Sequence, residues 1–68
     1  MKALARDTEL GDLVQFENSE FQVIGTRKNE ERVVIRLANY FDKRDITLEP
    51  NDEVIISKKK GERKMLIT

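Results

Sequence analysis

The sequence contains no cysteine and no histidine. The first absence removes any disulfide, and the two together remove the ligand sets of the common structural zinc sites. Also missing are the side chains that most often move protons or attack as nucleophiles near neutral pH, so no enzyme activity is expected. Ser19 and Ser57 have no base candidate beside them. No apolar run approaches the roughly 20 residues needed to cross a bilayer, and the start, Met1-Lys2-Ala3-Leu4-Ala5-Arg6-Asp7, lacks the apolar centre of a signal peptide. A cysteine-free chain of this kind reads as soluble and cytoplasmic, with no membrane partner. Net charge is lacking as well. The 13 basic and 13 acidic residues cancel, which speaks against a general nucleic-acid coat or a membrane-surface binder.

What is present is a β pattern. With 68 residues there is room for one domain, and a chain this short buries only about 60% of the surface it exposes when unfolded. Without disulfide or metal, regular packing or self-association must supply the stability margin. The chain is organised around Arg32-Val33-Val34-Ile35-Arg36-Leu37, whose β-branched density predicts a central antiparallel strand. Before it, Val14 and Phe16 alternate with polar neighbours over 13–16, Glu17-Asn18-Ser19 supplies a turn, and Glu20–Arg27 returns with Gly25 placed for a bulge. Lys28-Asn29-Glu30-Glu31 is a hairpin loop. Beyond Leu37 the residues 38–44 read as a loop or wide turn. Asp45–Glu49 alternates as a fourth strand, Pro50 stops it because it has no N–H to donate, and Glu53–Ser57 is a fifth. Lys60-Gly61-Glu62 turns the chain into a terminal strand over 64–67. Residues 1–9 are expected as a flexible or edge-pairing arm and 10–68 as one small β domain.

Strands at intervals of about 8 to 12 residues with turn chemistry between them predict an all-β fold: a small antiparallel barrel or bent sheet of five to six strands. The Leu10-Gly11-Asp12 lead-in to a strand, the polar hairpin tip and the Pro-containing turn before the last core strand resemble SH3-like small barrels. The likeness is one of architecture, and such barrels serve many functions.

Alternation predicts a core of Val14, Phe16, Phe21, Val23, Val33, Ile35, Leu37, Ile46, Leu48, Val54 and Ile56. Three apolar residues stand in a row at Val33-Val34-Ile35, Val54-Ile55-Ile56 and Met65-Leu66-Ile67, so one of each triplet points away from that core. Ile24, Val34, Ile55 and Leu66 are therefore candidates for a protein interface, with barrel curvature and the terminal arms as the plainer cover for them. On this pattern the leading expectation is a small non-catalytic binding module acting through protein contacts, as homodimer or adaptor.

Charge supplies the alternative. Lys58, Lys59, Lys60, Arg63 and Lys64 put five positive charges into seven residues, which suits phosphate contacts by counterion release. Arg36, Lys43 and Arg44 extend the set if the 38–44 loop lies alongside, and Tyr40 and Phe41 could stack on unpaired bases. This gives a nucleic-acid-binding barrel for DNA or RNA. The plainer readings are a solvated hairpin that blunts a sheet edge with lysines, and an aromatic pair tucked under its loop to close the barrel end. The carboxylate pairs Asp42 and Asp45, and Glu30 and Glu31, lie in no metal motif and read as solvated charges. No metal and no small-molecule cofactor are expected.

Overall fold

Backbone pairing decides the architecture. The computed structural model describes residues 1–59, and within them six strands form: β1 (Lys2–Leu4), β2 (Leu13–Phe16), β3 (Ser19–Lys28), β4 (Val33–Ala38), β5 (Lys43–Leu48) and β6 (Glu53–Lys58). A single 3-10 turn covers Ala5–Asp7. All the pairings are antiparallel, in one sheet ordered β1-β6-β2-β3-β4-β5. The fold is thus all-β, as the alternation predicts. The sheet is bent and does not close, with β1 and β5 as its edges among the described residues. The barrel form of the expectation is not realised, and the SH3-like arrangement is not established by this strand order.

Local chemistry sets each junction. Phe16 pairs with Ser19, leaving Glu17 and Asn18 as a two-residue loop with φ of 51° and 64°. Positive φ at both positions matches the right-handed twist of the flanking strands, and Asn tolerates it. Gly25 does sit at a bulge: the register of β3 against β4 shifts between Val23 and Gly25, so Ile24 is the extra residue. A second shift, between Leu13 and Val14 opposite Lys58 and Ile56, makes Ser57 the extra residue of β6.

The expected wide turn over 38–44 is a correction. β4 continues through Ala38 and β5 begins at Lys43, so the connection shrinks to Asn39–Asp42. Asn39 makes this possible by replacing strand pairing with its own bonds. Its N–H donates to the Asp42 carbonyl at 2.9 Å, and its Oδ1 accepts from the N–H groups of Phe41 and Asp42, both at 2.8 Å.

The inner face buries Val14, Phe21, Val23, Val33, Ile35, Leu37, Val54 and Ile56 together with Ala5, which alternation did not include. Phe16, Ile46 and Leu48 were expected in the core and are only partly buried against it. For Ile46 and Leu48 the reason is that β5 has a neighbour on one side only. Residues 1–9 are tied in at several points. β1 pairs with β6, the Ala5 N–H donates to the Asp52 carbonyl at 2.7 Å, and the Arg6 N–H donates to the Pro50 carbonyl at 3.2 Å. No helix among the described residues is long and apolar enough to cross a membrane. The terminal strand expected over 64–67 lies outside the described residues, as do the candidates Lys60, Arg63, Lys64 and Leu66.

Candidate functional site

The outer face of the sheet carries an open cleft of about 670 Å³. Its floor is a row of cross-strand neighbours: Leu13 on β2 opposite Gln22 on β3, and Gln22 opposite Ala38 on β4. The row ends in a lysine on each side, Lys58 opposite Leu13 and Lys43 opposite Ala38. Glu20, Asn39, Tyr40 and Phe41 continue the lining, which reaches Ser19 and the core residue Phe21.

Tyr40 and Phe41 are the two central residues of the Asn39–Asp42 turn, and both are essentially fully exposed, at 101% and 93%. The expectation that they tuck under the loop is overturned. Because the Asn39 side chain ties up the two N–H groups that follow, the turn is held by polar bonds and needs no apolar anchor. The chain contains its own control. Asn29–Arg32 is built in the same way, its Asn29 Oδ1 accepting from the Glu31 and Arg32 N–H groups at 2.8 Å. That turn displays Glu30 and Glu31, the usual solvated choice. At 39–42 the same frame displays two aromatic rings instead.

The basic candidates do not gather. Arg36 lies on the outer face bonded to Asp45, Nε to Oδ1 at 2.9 Å and Nη2 to Oδ2 at 3.3 Å. The hydrogen bond and the Arg36 charge hold the Asp45 carboxyl below its ordinary value of 3.8, and Arg36 is raised in turn. Arg44 points the other way. It pairs with Leu37 on the inner face, its Cζ lies 5.8 Å from the ring centroids of both Phe16 and Phe21, and its guanidinium binds Asp42 at 2.6 Å and also Glu17. Its hydrogen bonds depress Asp42, and Arg44 is raised by the same contact. Alternation could have found this, since Arg44 stands two residues before Ile46 and shares its face.

Lys59 is engaged across 47 residues of sequence: its Nζ donates to Oδ2 of the fully buried Asp12 at 2.8 Å and to the Asp7 carbonyl at 3.4 Å, with Glu9 Oε1 also at 3.4 Å. Desolvation alone would lower the Lys59 pKa, but the bonds and charges of Asp12 and Glu9 outweigh it and raise it above 10.5. Lys43 and Lys58 are the basic candidates without an ion pair among the described residues.

The apolar candidates divide. Ile24 and Val34 line a second, smaller hollow of about 270 Å³ with Arg27, Arg36 and Asp45. Ile55 is 50% exposed on β6, with β2 and β3 between it and β4. Sequence reading missed Leu13, Gln22 and Ala38 as cleft floor, because no pattern in one strand shows which residues of its neighbours lie alongside. No group of three His, Cys, Asp or Glu residues placed to hold a metal ion occurs among the described residues. In comparison with known proteins, the chain matches no family model, no curated protein and no solved structure.

Proposed function

We propose that the protein is a non-catalytic binding module that docks a protein partner in the outer cleft, with Tyr40 and Phe41 as its anchors. The observation that carries this reading is the full exposure of two adjacent rings on a turn that polar bonds already hold. Exposed rings beside a cleft are the usual source of hot-spot energy in protein association. The matching occupant is an extended protein segment whose apolar side chains cover Leu13 and Ala38 while the two rings close over it. The hollow under Ile24 and Val34 and the exposed Ile55 are secondary surfaces in this reading. A cytoplasmic setting fits a chain free of cysteine.

Nucleic acid is the competing occupant, since rings stack on bases and Lys43 and Lys58 flank the floor. It is the weaker reading: Arg36, Arg44 and Lys59 are neutralised by carboxylates, Glu20 lines the cleft, and the chain carries no net charge. Amide chemical shifts test the choice, recorded while titrating a panel of apolar peptides and, separately, oligothymidylate at low and high salt. The expected result is that a peptide moves the signals of Leu13, Gln22, Ala38 and Phe41 to a similar extent at both salt levels. Shifts caused by the oligonucleotide alone, and collapsing with salt, would replace protein docking by nucleic-acid binding.

A further inference from the structure

We propose that β5 is a self-recognition edge, through which two copies of the chain pair β5 against β5 antiparallel, in register about Ile46, joining their sheets into one. This stands apart from the reading of the cleft, which lies on the outer face and does not need it.

The edge is open. Among the described residues β5 pairs with β4 alone, and its six residues contrast with the three of β1 at the opposite edge. An antiparallel ladder bonds alternate residues to each side. Counting from the Asn39–Asp42 bond that closes the hairpin, Arg44, Ile46 and Leu48 bond to β4, while Asp45 and Thr47 turn N–H and C=O away from it; the outward N–H of Lys43 already donates to Asp42 Oδ1 at 2.8 Å. Two of the devices that usually blunt such an edge are missing: no proline interrupts 43–48, and the β4–β5 register runs from Ala38–Lys43 to Val33–Leu48 without a bulge; charge is present, in Lys43, Asp45 and the inward-turned Arg44. Cover is also lacking. Ile46 and Leu48 are only partly buried, although Ile35 and Val33 beside them on β4 are 1% and 0% exposed.

Side-chain chemistry selects the partner and the register. Residues opposite one another in an antiparallel pair share a face, so pairing about a residue keeps both inner faces on one side. About Ile46, Asp45 meets Thr47, Arg44 meets Leu48 and Ile46 meets itself; past the end of β5, where the Glu49 backbone is already bonded to Asp52, the Lys43 side chain faces that of Glu49 of the second copy, twice over. Pairing about Asp45 or Arg44 would set like charges face to face, and pairing about Thr47 would set Asp45 against Glu49. Only the Ile46 register gives opposite charges at both ends and an apolar centre. The side chains of Lys43 and Glu49 are exposed and without an ion pair within the described chain.

Sedimentation equilibrium of the full chain from low micromolar to millimolar concentration tests this. The wild type should approach twice the protomer mass at the upper end, as a small edge interface implies. Lys43→Glu and Glu49→Lys should each weaken association about tenfold or more, because each turns two attractive pairs into repulsive ones. The double variant carrying both should regain wild-type association. Thr47→Pro, which removes an outward N–H and leaves the β4 side intact, should stay folded and monomeric. A protomer mass at every concentration overturns the proposal, and so does a dimer that ignores both charge reversals or that the double variant does not restore. Thr47→Pro leaves the cleft lining untouched and should keep its peptide shifts, which separates the two readings.

Discussion

A buried carboxylate in so thin a core has to be fully engaged, and Asp12 holds together three distant parts of the chain. Its Oδ2 accepts from the Glu9 N–H at 2.9 Å and from Lys59, while its carbonyl accepts the Val23 N–H at 2.8 Å. Gly11 beside it adopts φ 93°, a conformation in which a Cβ is strained. Asp12→Ala should cost roughly 3 kcal/mol in urea unfolding, a large share of the stability of a domain this size. The pH dependence follows from the raised Lys59. A lysine whose pKa is higher folded than unfolded contributes in full below its ordinary value, so stability should hold through neutrality and fall once pH rises past 10.5. At the acid end, Asp42 and Asp45 should titrate below 3.8 by carboxyl NMR. Arg44→Met should return Asp42 towards that value while leaving Asp45 depressed. Equal movement of both would contradict the separate pairings.

At the scale of the element, side-chain hydrogen bonds and positive φ define the turns. Asn39→Ala removes an acceptor from two N–H groups and should lower stability by about 1 kcal/mol. It should also broaden the amide signals of residues 40–42, whereas Asn29→Ala leaves those untouched. Asn18→Val places a β-branched residue at φ 64° and should cost about 1–3 kcal/mol. The strands were legible because Val14, Val33, Ile35, Leu37, Val54 and Ile56 alternate with period two, and the bulge was legible in Gly25. The β4–β5 turn was not, since Ala38 and Lys43 have no apolar signal and their strand pairing comes from the register of Val33–Leu37 against Arg44–Leu48. The buried set Ala5, Thr8 and Asp12 was equally hidden. One trace of it exists in the sequence: Glu9-Leu10-Gly11-Asp12 and Glu49-Pro50-Asn51-Asp52 share a Glu-Xaa-Xaa-Asp spacing. In both, the Asp side chain accepts from the Glu N–H at 2.9 Å.

At the scale of the molecule, the two faces of the sheet are covered differently. The inner face is filled by aliphatic side chains and Phe21, with Arg44 lying over Phe16 and Phe21 at one end. On the outer face a cleft opens beneath a turn whose rings touch solvent. The candidate site was only half visible in the sequence. Tyr40 and Phe41 stood out as aromatics in a polar run, but their exposure depends on the Asn39 bonds, and the cleft floor depends on which strands adjoin. Charge clustering misled for a related reason: Lys59 finds its partner far away along the chain, and Arg44 turns inward.

The claim that the rings are displayed for binding and not for folding is tested most directly by the Tyr40→Ala, Phe41→Ala double variant in urea. An unfolding free energy within about 0.5 kcal/mol of wild type, with peptide-induced shifts at Leu13 and Ala38 abolished, is the expected result. A loss of roughly 2 kcal/mol or more, the penalty for removing buried aromatic contacts, would contradict it.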